Sequence, residues 1–187
     1  MSRVHDAFSA TPREGFLPED LRGQAWRDHP LPIGWGATNS QPTTVRAMLE
    51  LLDVPQGARV LDIGSGSGWT TALLAHLTGA SGTVVGVELE PELVAFGSAN
   101  LAAVHRPWAS ITQARPGVFG LPDEGPFDRI LVSAMANDLP DELLDQLAPD
   151  GVLVIPVDGH MLRLTLRDGK PVTERHGRYV FVPLRRK

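Results

Sequence analysis

Residues 59–68 read Arg-Val-Leu-Asp-Ile-Gly-Ser-Gly-Ser-Gly, a short apolar stretch that runs directly into three alternate glycines. The apolar residues predict a buried strand, and the glycines predict a tight turn that opens a helix over residues 70–77. Glycine suits such a turn because it adopts unusual backbone conformations and lets a ligand approach the main chain. Trp69 stands where the Gly-x-Gly-x-x-Gly pattern of dinucleotide sites has its last glycine. The stretch therefore predicts a ligand-binding turn and disfavours a nicotinamide dehydrogenase.

Strands and helices alternate after this turn. Apolar segments predict strands at residues 84–87, 110–113, 128–133 and 151–157, and amphipathic segments predict helices from residue 91 and over 142–147. Two further strands are expected at residues 161–166 and 179–184, on either side of a turn at residues 168–169. This order is typical of an α/β fold with a mostly parallel central sheet flanked by helices and antiparallel C-terminal strands.

A carboxylate follows the second of these strands. Glu88 lies roughly 20 residues beyond the glycine turn, the offset at which an acidic side chain binds ribose hydroxyl groups in nucleotide-binding folds. Asp62, two residues before the first glycine, is an acid that would meet an ammonium group. The turn and the two acids together predict a site for a nucleoside-like ligand that carries an amino group.

The first 56 residues differ in character from the rest. Five prolines between residues 12 and 42 divide them into short pieces, and a helical pattern covers residues 43–52. This segment is too short for a domain of its own. We expect a single domain over residues 1–187, in which residues 1–56 form a cap on the substrate side of a core made by residues 57–187.

Composition narrows the classes of function. The net charge of -5 offers no general attraction to nucleic acid or anionic lipid, and the basic residues 185–187 are interpreted as a solubilising tail. Cysteine is absent and the six histidines lack metal-site spacing, so neither a thiolate nucleophile nor a metal is expected. No signal peptide and no apolar run of about 20 residues is visible. We expect a cytoplasmic monomer without nucleic-acid or membrane partners.

Several motifs together resemble one family of enzymes. The glycine turn is shared by many class I methyltransferases, and three further segments resemble the protein-L-isoaspartate O-methyltransferases in particular: Pro30-Leu31-Pro32-Ile33-Gly34, Thr38-Asn39-Ser40-Gln41-Pro42 and Phe181-Val182-Pro183-Leu184. The resemblance runs almost end to end. It implies a Rossmann-like class I methyltransferase fold, S-adenosyl-L-methionine as cofactor with S-adenosyl-L-homocysteine as product, and isoaspartyl-containing proteins or peptides as substrates.

The resemblance also implies roles for individual residues. Ser40 matches the serine that the family treats as its active-site residue, and substrate binding is implied for Thr38, Asn39, Val182 and Pro183. Cofactor binding is implied for a larger set: Ile33, Gly34, Trp35, Gly36, Asp62, Gly64, Ser65, Gly66, Glu88, Leu89, Pro116 and Gly117.

The implied reaction methylates the free carboxylate of an isoaspartyl residue and begins its repair through a succinimide. That carboxylate is already ionised at neutral pH, so the reaction requires no strong base. A hydroxyl such as that of Ser40 need only orient it, and no Gly-x-Ser-x-Gly nucleophile pattern surrounds Ser40.

Two positions depart from the family pattern. Arg115-Pro116-Gly117 replaces Gly-Asp-Gly after the third strand, which removes an acid near the adenosine, and Asn39 replaces an isoleucine beside Ser40, which would alter the substrate pocket. The departures leave two alternatives open: a member that methylates a carboxyl group of one specific peptide, and a degenerate cofactor-binding module. A nucleic-acid amino-methyltransferase is disfavoured because residues 133–138 lack the Asn/Asp-Pro-Pro-aromatic motif of that class.

Overall fold

In the computed structural model, which describes residues 2–185, the N-terminal segment contains more regular structure than its prolines suggest. Helix α1 (Arg3–Ser9) is capped by Ser2, whose side chain accepts a hydrogen bond from the amide of His5. Two 3₁₀ helices follow at Arg13–Phe16 and Glu19–Gln24. An antiparallel hairpin of β1 (Leu31–Gly34) and β2 (Ala37–Asn39) then precedes helix α2 (Pro42–Leu52). Helix α2 agrees with the helix predicted over residues 43–52.

One seven-stranded sheet forms the centre of the molecule. Its strands are β3 (Arg59–Ile63), β4 (Thr83–Glu88), β5 (Ala109–Gln113), β6 (Phe127–Val132), β7 (Leu147–Val157), β8 (His160–Arg167) and β9 (Lys170–Arg178). They lie in the order β5-β4-β3-β6-β7-β8-β9, with β3 to β7 parallel and β8 and β9 antiparallel. The chain moves outward from β3 to β5 and returns to β6 on the other side of β3. Such a reversal opens a crevice at the carboxyl ends of the strands.

Helices cover both faces of this sheet, which confirms the expected α/β class. Helices α3 (Trp69–Thr78), α4 (Pro91–Ala103) and α5 (Asp141–Leu144) lie in the connections between parallel strands. Successive strand residues point to opposite faces, so Val60 joins one hydrophobic cluster and Leu61 the other. Burial on both faces explains why the parallel strands read as continuous apolar runs.

The N-terminal segment is part of the same hydrophobic core. Ala7 of α1, Phe16 and Val45 of α2 are buried in the cluster that also contains Val60 and Leu73. The cap is therefore packed onto the sheet's own core. Among residues 2–185, no helix is long and apolar enough to cross a membrane.

The C-terminal end differs from the sequence prediction. The last strand is β9, and the strand predicted at residues 179–184 is wrong. Strand β9 is polar and largely exposed along its length, so no apolar alternation marks it. Residues 182–184 instead flank Met135, whose amide donates to the carbonyl of Val182 (2.8 Å) and whose carbonyl accepts from Leu184 (2.7 Å). Met1 and two residues of the predicted basic tail, Arg186 and Lys187, lie outside the described residues.

Two other element boundaries also differ. The helix predicted over residues 142–147 ends at Leu144, because Leu147 already pairs with Phe127 and begins β7. Strand β7 is consequently four residues longer at its start than the predicted 151–157 segment.

Helix α4 approaches the glycine turn through Gly97. A Cβ at this position would lie 2.6 Å from the carbonyl oxygen of Gly66 and 2.9 Å from the Ile111 side chain. The contact to Gly66 is backbone, which cannot rotate away as a side chain can. The absence of a side chain at residue 97 therefore sets how closely α4 packs on the turn.

Replacement of Gly97 by alanine tests this packing. Helix propensity alone would favour alanine by about 1 kcal/mol, yet we expect the Gly97→Ala protein to lose about 1–3 kcal/mol of unfolding free energy because of overpacking. Urea unfolding followed by circular dichroism measures the change. Gly15→Ala is the matched control, since a Cβ there meets nothing within 4 Å. A Gly97→Ala protein as stable as the control would contradict the proposed close packing.

Candidate active site

The glycine turn is attached to the end of β4 by its backbone. The carbonyl of Val87 accepts hydrogen bonds from the amides of Gly64 (2.9 Å) and Ser65 (3.2 Å). Gly64, Gly66 and Gly68 all have positive φ, at 81°, 50° and 83°. A side chain would be strained at each of these positions, so the alternate glycines of the sequence correspond to a required backbone path.

The Glu88 carboxylate holds the same turn from the other side. Its Oε2 atom accepts a hydrogen bond from the amide of Gly66 at 2.9 Å, and its Oε1 accepts from the amides of Leu89 and Glu90 at 2.5 and 3.2 Å. Only 8% of Glu88 is exposed. The carboxylate thus fixes the turn relative to the segment after β4 while it lines the adjoining cavity.

A cleft of about 250 Å³ lies at the carboxyl ends of β3, β4 and β6. Small-molecule sites in proteins begin at roughly this size. The predicted site residues that line the cleft come from the hairpin, the turn, the end of β4 and the C-terminal segment: Trp35, Gly36, Thr38, Gly64, Gly66, Glu88, Leu89, Val182 and Pro183.

Ser40 lies on a smaller pocket beside this cleft. The pocket has a volume of about 20 Å³, and Asn39, Ser40 and Ser65 are among its walls. It shares Thr38, Gly64, Gly66 and Ser133 with the cleft. The pocket of the candidate catalytic serine therefore adjoins the cleft across the glycine turn, Thr38 and Ser133.

The tip of the hairpin reaches over this region in an unusual conformation. Gly34, Trp35 and Gly36 have φ of 91°, 51° and 72°, three consecutive positive values. Trp35 is 51% exposed and lines the cleft, whereas Ile33 is buried. The Ile33 side chain packs on the turn, where its Cδ1 would lie 3.1 Å from a Cβ at Gly66. Ile33 thus packs against the glycine turn and does not line the cleft.

Asp62 lies beneath the turn and does not line the cleft. It is fully buried, and its Oδ2 accepts a hydrogen bond from the Thr71 hydroxyl at 2.7 Å, while Oδ1 has no partner within the described residues. Burial raises the pKa of Asp62 to about 7, the Thr71 bond opposes this shift, and the charge of Glu88 adds to it. Asp62 lies two positions after Val60 in the same strand, so both side chains point to the α3 face of the sheet.

The segment after β5 forms a wall of the cleft with residues on both sides of Pro116 and Gly117. Arg115, Val118, Phe119 and Gly120 line the cleft, whereas Pro116 and Gly117 do not. Arg115 also pairs with Asp123 through an Nη1–Oδ2 distance of 2.7 Å. The apolar Val118 and Phe119 offer a surface for a flat ring, which no motif in the sequence indicated.

Further lining residues were missed at the ends of other elements. Ser133 and Ala134 follow β6, a position where ligands are expected once the strand order is known. Arg185 lies at the mouth of the cleft and pairs with Glu90 at 3.4 Å, which links the C-terminal segment to the residues after β4. Within residues 2–185, no group of three or more His, Cys, Asp or Glu side chains could hold a metal ion.

The buried carboxyl of Asp62 gives the folded protein a pH-dependent cost. In the unfolded chain this group ionises near pH 4, whereas the folded chain keeps it protonated up to about pH 7. Its unfavourable contribution to stability therefore grows between these pH values and is complete above them. We expect Asp62→Asn to raise the unfolding free energy more at pH 8 than at pH 5. Urea unfolding of both proteins at both pH values measures this, and an equal difference would contradict the raised pKa.

The comparisons with known proteins agree with this geometry. A family model described as protein-L-isoaspartate(D-aspartate) O-methyltransferase matches residues 1–187. A protein-L-isoaspartate O-methyltransferase of Methanopyrus kandleri is 46% identical over 98% of this chain and 83% of that protein. One from Methanocella arvoryzae is 44% identical over 92% of this chain and 93% of that protein.

A solved structure shares both the fold and the extent of the chain. It is described as a protein-L-isoaspartate O-methyltransferase of Plasmodium falciparum in complex with S-adenosyl-L-homocysteine. It is 26% identical with a TM-score of 0.89, covering 100% of this chain and 92% of that one. With the glycine turn, the Glu88 cleft and the matching segments in place over its full length, the chain belongs to the protein-L-isoaspartate(D-aspartate) O-methyltransferase family.

Proposed function

We propose that this chain is an active S-adenosyl-L-methionine-dependent carboxyl methyltransferase that esterifies L-isoaspartyl residues of damaged proteins and peptides. The observation that carries the proposal is the arrangement of two adjoining cavities, a cleft with the Glu88 carboxylate and a pocket with Ser40, divided by one glycine turn. Family membership supplies the reaction class.

The residues around the cleft fit the cofactor. Glu88 offers carboxylate oxygens for ribose hydroxyls, and the apolar Leu89, Val118 and Phe119 offer surfaces for an adenine ring. The three glycines of the turn, with their positive φ values, let a ligand lie close to the backbone of the turn. When bound, the cofactor supplies a methyl group made electrophilic by a positively charged sulfur.

Ser40 and the C-terminal segment would bind the methyl acceptor, the isoaspartyl substrate. The acceptor carboxylate is ionised at neutral pH, so the protein has only to orient it and exclude water. The Ser40 hydroxyl would donate a hydrogen bond to one carboxylate oxygen and leave the other to take the methyl group. Val182 and Pro183, for which substrate binding is expected, line the adjoining cleft. The resulting ester is attacked by the neighbouring backbone nitrogen, which expels methanol and closes a succinimide whose hydrolysis yields some normal aspartate.

The two alternative hypotheses of function are less favoured than isoaspartyl methylation. A specialised peptide carboxyl methyltransferase and a degenerate binding module were suggested by residues 115–117 and by Asn39, yet relatives named for the isoaspartyl activity match nearly the whole chain. Arg115 pairs with Asp123 and lines the cleft together with the apolar Val118 and Phe119, so the cleft is present despite this departure. We extend the proposal to a cytoplasmic enzyme, as expected from the absence of cysteine and of a signal peptide, and to a monomer.

Methyl transfer to two matched peptides tests the proposed function. Labelled S-adenosyl-L-methionine is incubated with a peptide that contains isoaspartate and with the same sequence containing aspartate. We expect transfer to the isoaspartyl peptide only, and a decrease of about tenfold to a hundredfold in kcat for Ser40→Ala because the acceptor is less well oriented.

A serine away from both cavities provides the control. Ser9→Ala removes an exposed hydroxyl of α1 that bonds the carbonyl of His5, and it should leave kcat unchanged. Transfer to the aspartyl peptide, or none to either peptide despite cofactor binding, would contradict the isoaspartyl acceptor. Full activity of Ser40→Ala would contradict the role assigned to Ser40.

A further inference from the structure

A buried guanidinium holds the backbone that carries Ser40. Arg13 is 6% exposed and lies inside the N-terminal segment. Its Nη2 atom donates to the carbonyls of Asn39 (2.9 Å) and Ser40 (3.0 Å). Nη2 also donates to the carbonyl of His29 (2.9 Å), and Nη1 donates to the carbonyls of Arg27 (2.9 Å) and Ala25 (3.4 Å). Desolvation lowers the pKa of Arg13 to about 10, and the charge of Asp28 opposes this shift, so the group stays charged at neutral pH.

The side chain of Asn39 extends this arrangement to the glycine turn. Asn39 is the last residue of β2 and only 3% exposed. Its Oδ1 accepts a hydrogen bond from Arg13 Nε at 2.7 Å, and its Nδ2 donates to the Ser67 hydroxyl at 3.0 Å. Ser67 is held in turn by Asn100 of α4, whose Nδ2 donates to the Ser67 carbonyl at 3.0 Å. One amide therefore connects the hairpin to the turn.

These contacts account for a polar residue at a position where the family pattern has isoleucine. An apolar side chain of similar size at residue 39 would leave the buried Arg13 Nε and Ser67 Oγ without this partner, and unpaired buried groups cost more than exposed ones. The amide of Asn39 thus makes one hydrogen bond at each of its ends, to Arg13 and to Ser67. Next to Ser40, Arg13 therefore holds the backbone and Asn39 bridges to the turn.

We propose that Asn39, clamped between Arg13 and Ser67, is a positioning residue for methyl transfer that locks the Ser40 backbone onto the glycine turn. The proposal rests on the proposed function. The acceptor oxygen must lie in line with the transferred methyl group, and a displacement of about 1 Å between such groups can cost about a hundredfold in rate. The turn belongs to the cofactor cleft and Ser40 to the acceptor pocket, so the Asn39 amide sets the distance between the two halves of the reaction.

Two substitutions at residue 39 separate polarity from volume. Asn39→Leu keeps the size of the side chain and removes both hydrogen bonds. Asn39→Asp keeps both, because a carboxylate accepts from Arg13 and from the Ser67 hydroxyl acting as donor. We expect Asn39→Leu to lower kcat for the isoaspartyl peptide by about tenfold, with little change in the dissociation constant of S-adenosyl-L-methionine. Asn39→Asp is expected to restore most of the lost activity.

A double-mutant cycle with Ser40→Ala distinguishes positioning from a loss of folded protein. If Asn39 acts through the Ser40 hydroxyl, Asn39→Leu costs about tenfold in the wild-type background and less than about twofold in the Ser40→Ala background. A purely structural role lowers kcat by the same factor in both backgrounds, and that result would overturn the proposal. Val45→Ala, which weakens the buried face of α2, is the control expected to act equally in both.

Hydrogen exchange of the hairpin amides tests the lock without any acceptor. Asn39→Leu is expected to accelerate exchange within residues 31–40 by about tenfold, whereas Asn39→Asp is not. If Asn39→Leu fails to fold, Ser67→Ala removes the same contact from the other side and takes its place in both experiments. Unchanged hairpin exchange in Asn39→Leu, or equal exchange in the leucine and aspartate variants, would overturn the lock. Failure of wild-type protein to methylate the isoaspartyl peptide would instead refute the proposed function.

Discussion

The site depends first on the attachment of the glycine turn to the end of β4. The Val87 carbonyl receives two amides of the turn and the Glu88 carboxylate receives a third, so consecutive donors of one segment meet consecutive acceptors of another. Any other path for the turn would leave these buried groups without partners. The turn then becomes a fixed surface on which Ile33 packs from the hairpin and Gly97 from α4. The carboxylate that the sequence suggests for a ribose is also part of the scaffold.

The β1–β2 hairpin is attached to the glycine turn without any pairing to the central sheet. The hairpin pairs only with itself in backbone terms, since β1 and β2 form a separate sheet of two strands. Its place over the cleft is set by side chains, with Ile33 packed on Gly66 and Asn39 bonded to Ser67. The cofactor half of the site therefore inherits the rigidity of the parallel sheet, while the acceptor half is positioned by a small number of buried contacts. This division explains why the hairpin region concentrates polar hydrogen bonds around a single arginine.

The parts of the site that could be predicted are those encoded by local spacing. The alternate glycines and Glu88 are recognisable because a strand, a turn and the next strand lie within roughly 30 residues of each other. The position of Asp62 below the turn follows from the two-residue repeat of a strand, which places it on the face of Val60. Val118, Phe119 and Arg185 could not be predicted, because their place depends on the path of loops after the strands. The role of Asn39 needed its partner Arg13, which lies 26 residues away. Strand β9 escaped prediction because its polar, exposed residues carry no apolar pattern.

The polar character of β9 affects how the edge of the sheet meets other polypeptide chains. β9 is one of the two edges of the sheet, and it reads Lys-Pro-Val-Thr-Glu-Arg-His-Gly-Arg. Charged residues and proline on an edge strand discourage the addition of a foreign strand. The proposed substrates are proteins and peptides, and an extended stretch of polypeptide can pair with an exposed edge strand. The charged edge strand therefore allows the protein to bind polypeptide substrates at the carboxyl ends of its strands. It disfavours the addition of those substrates to the sheet as an extra strand.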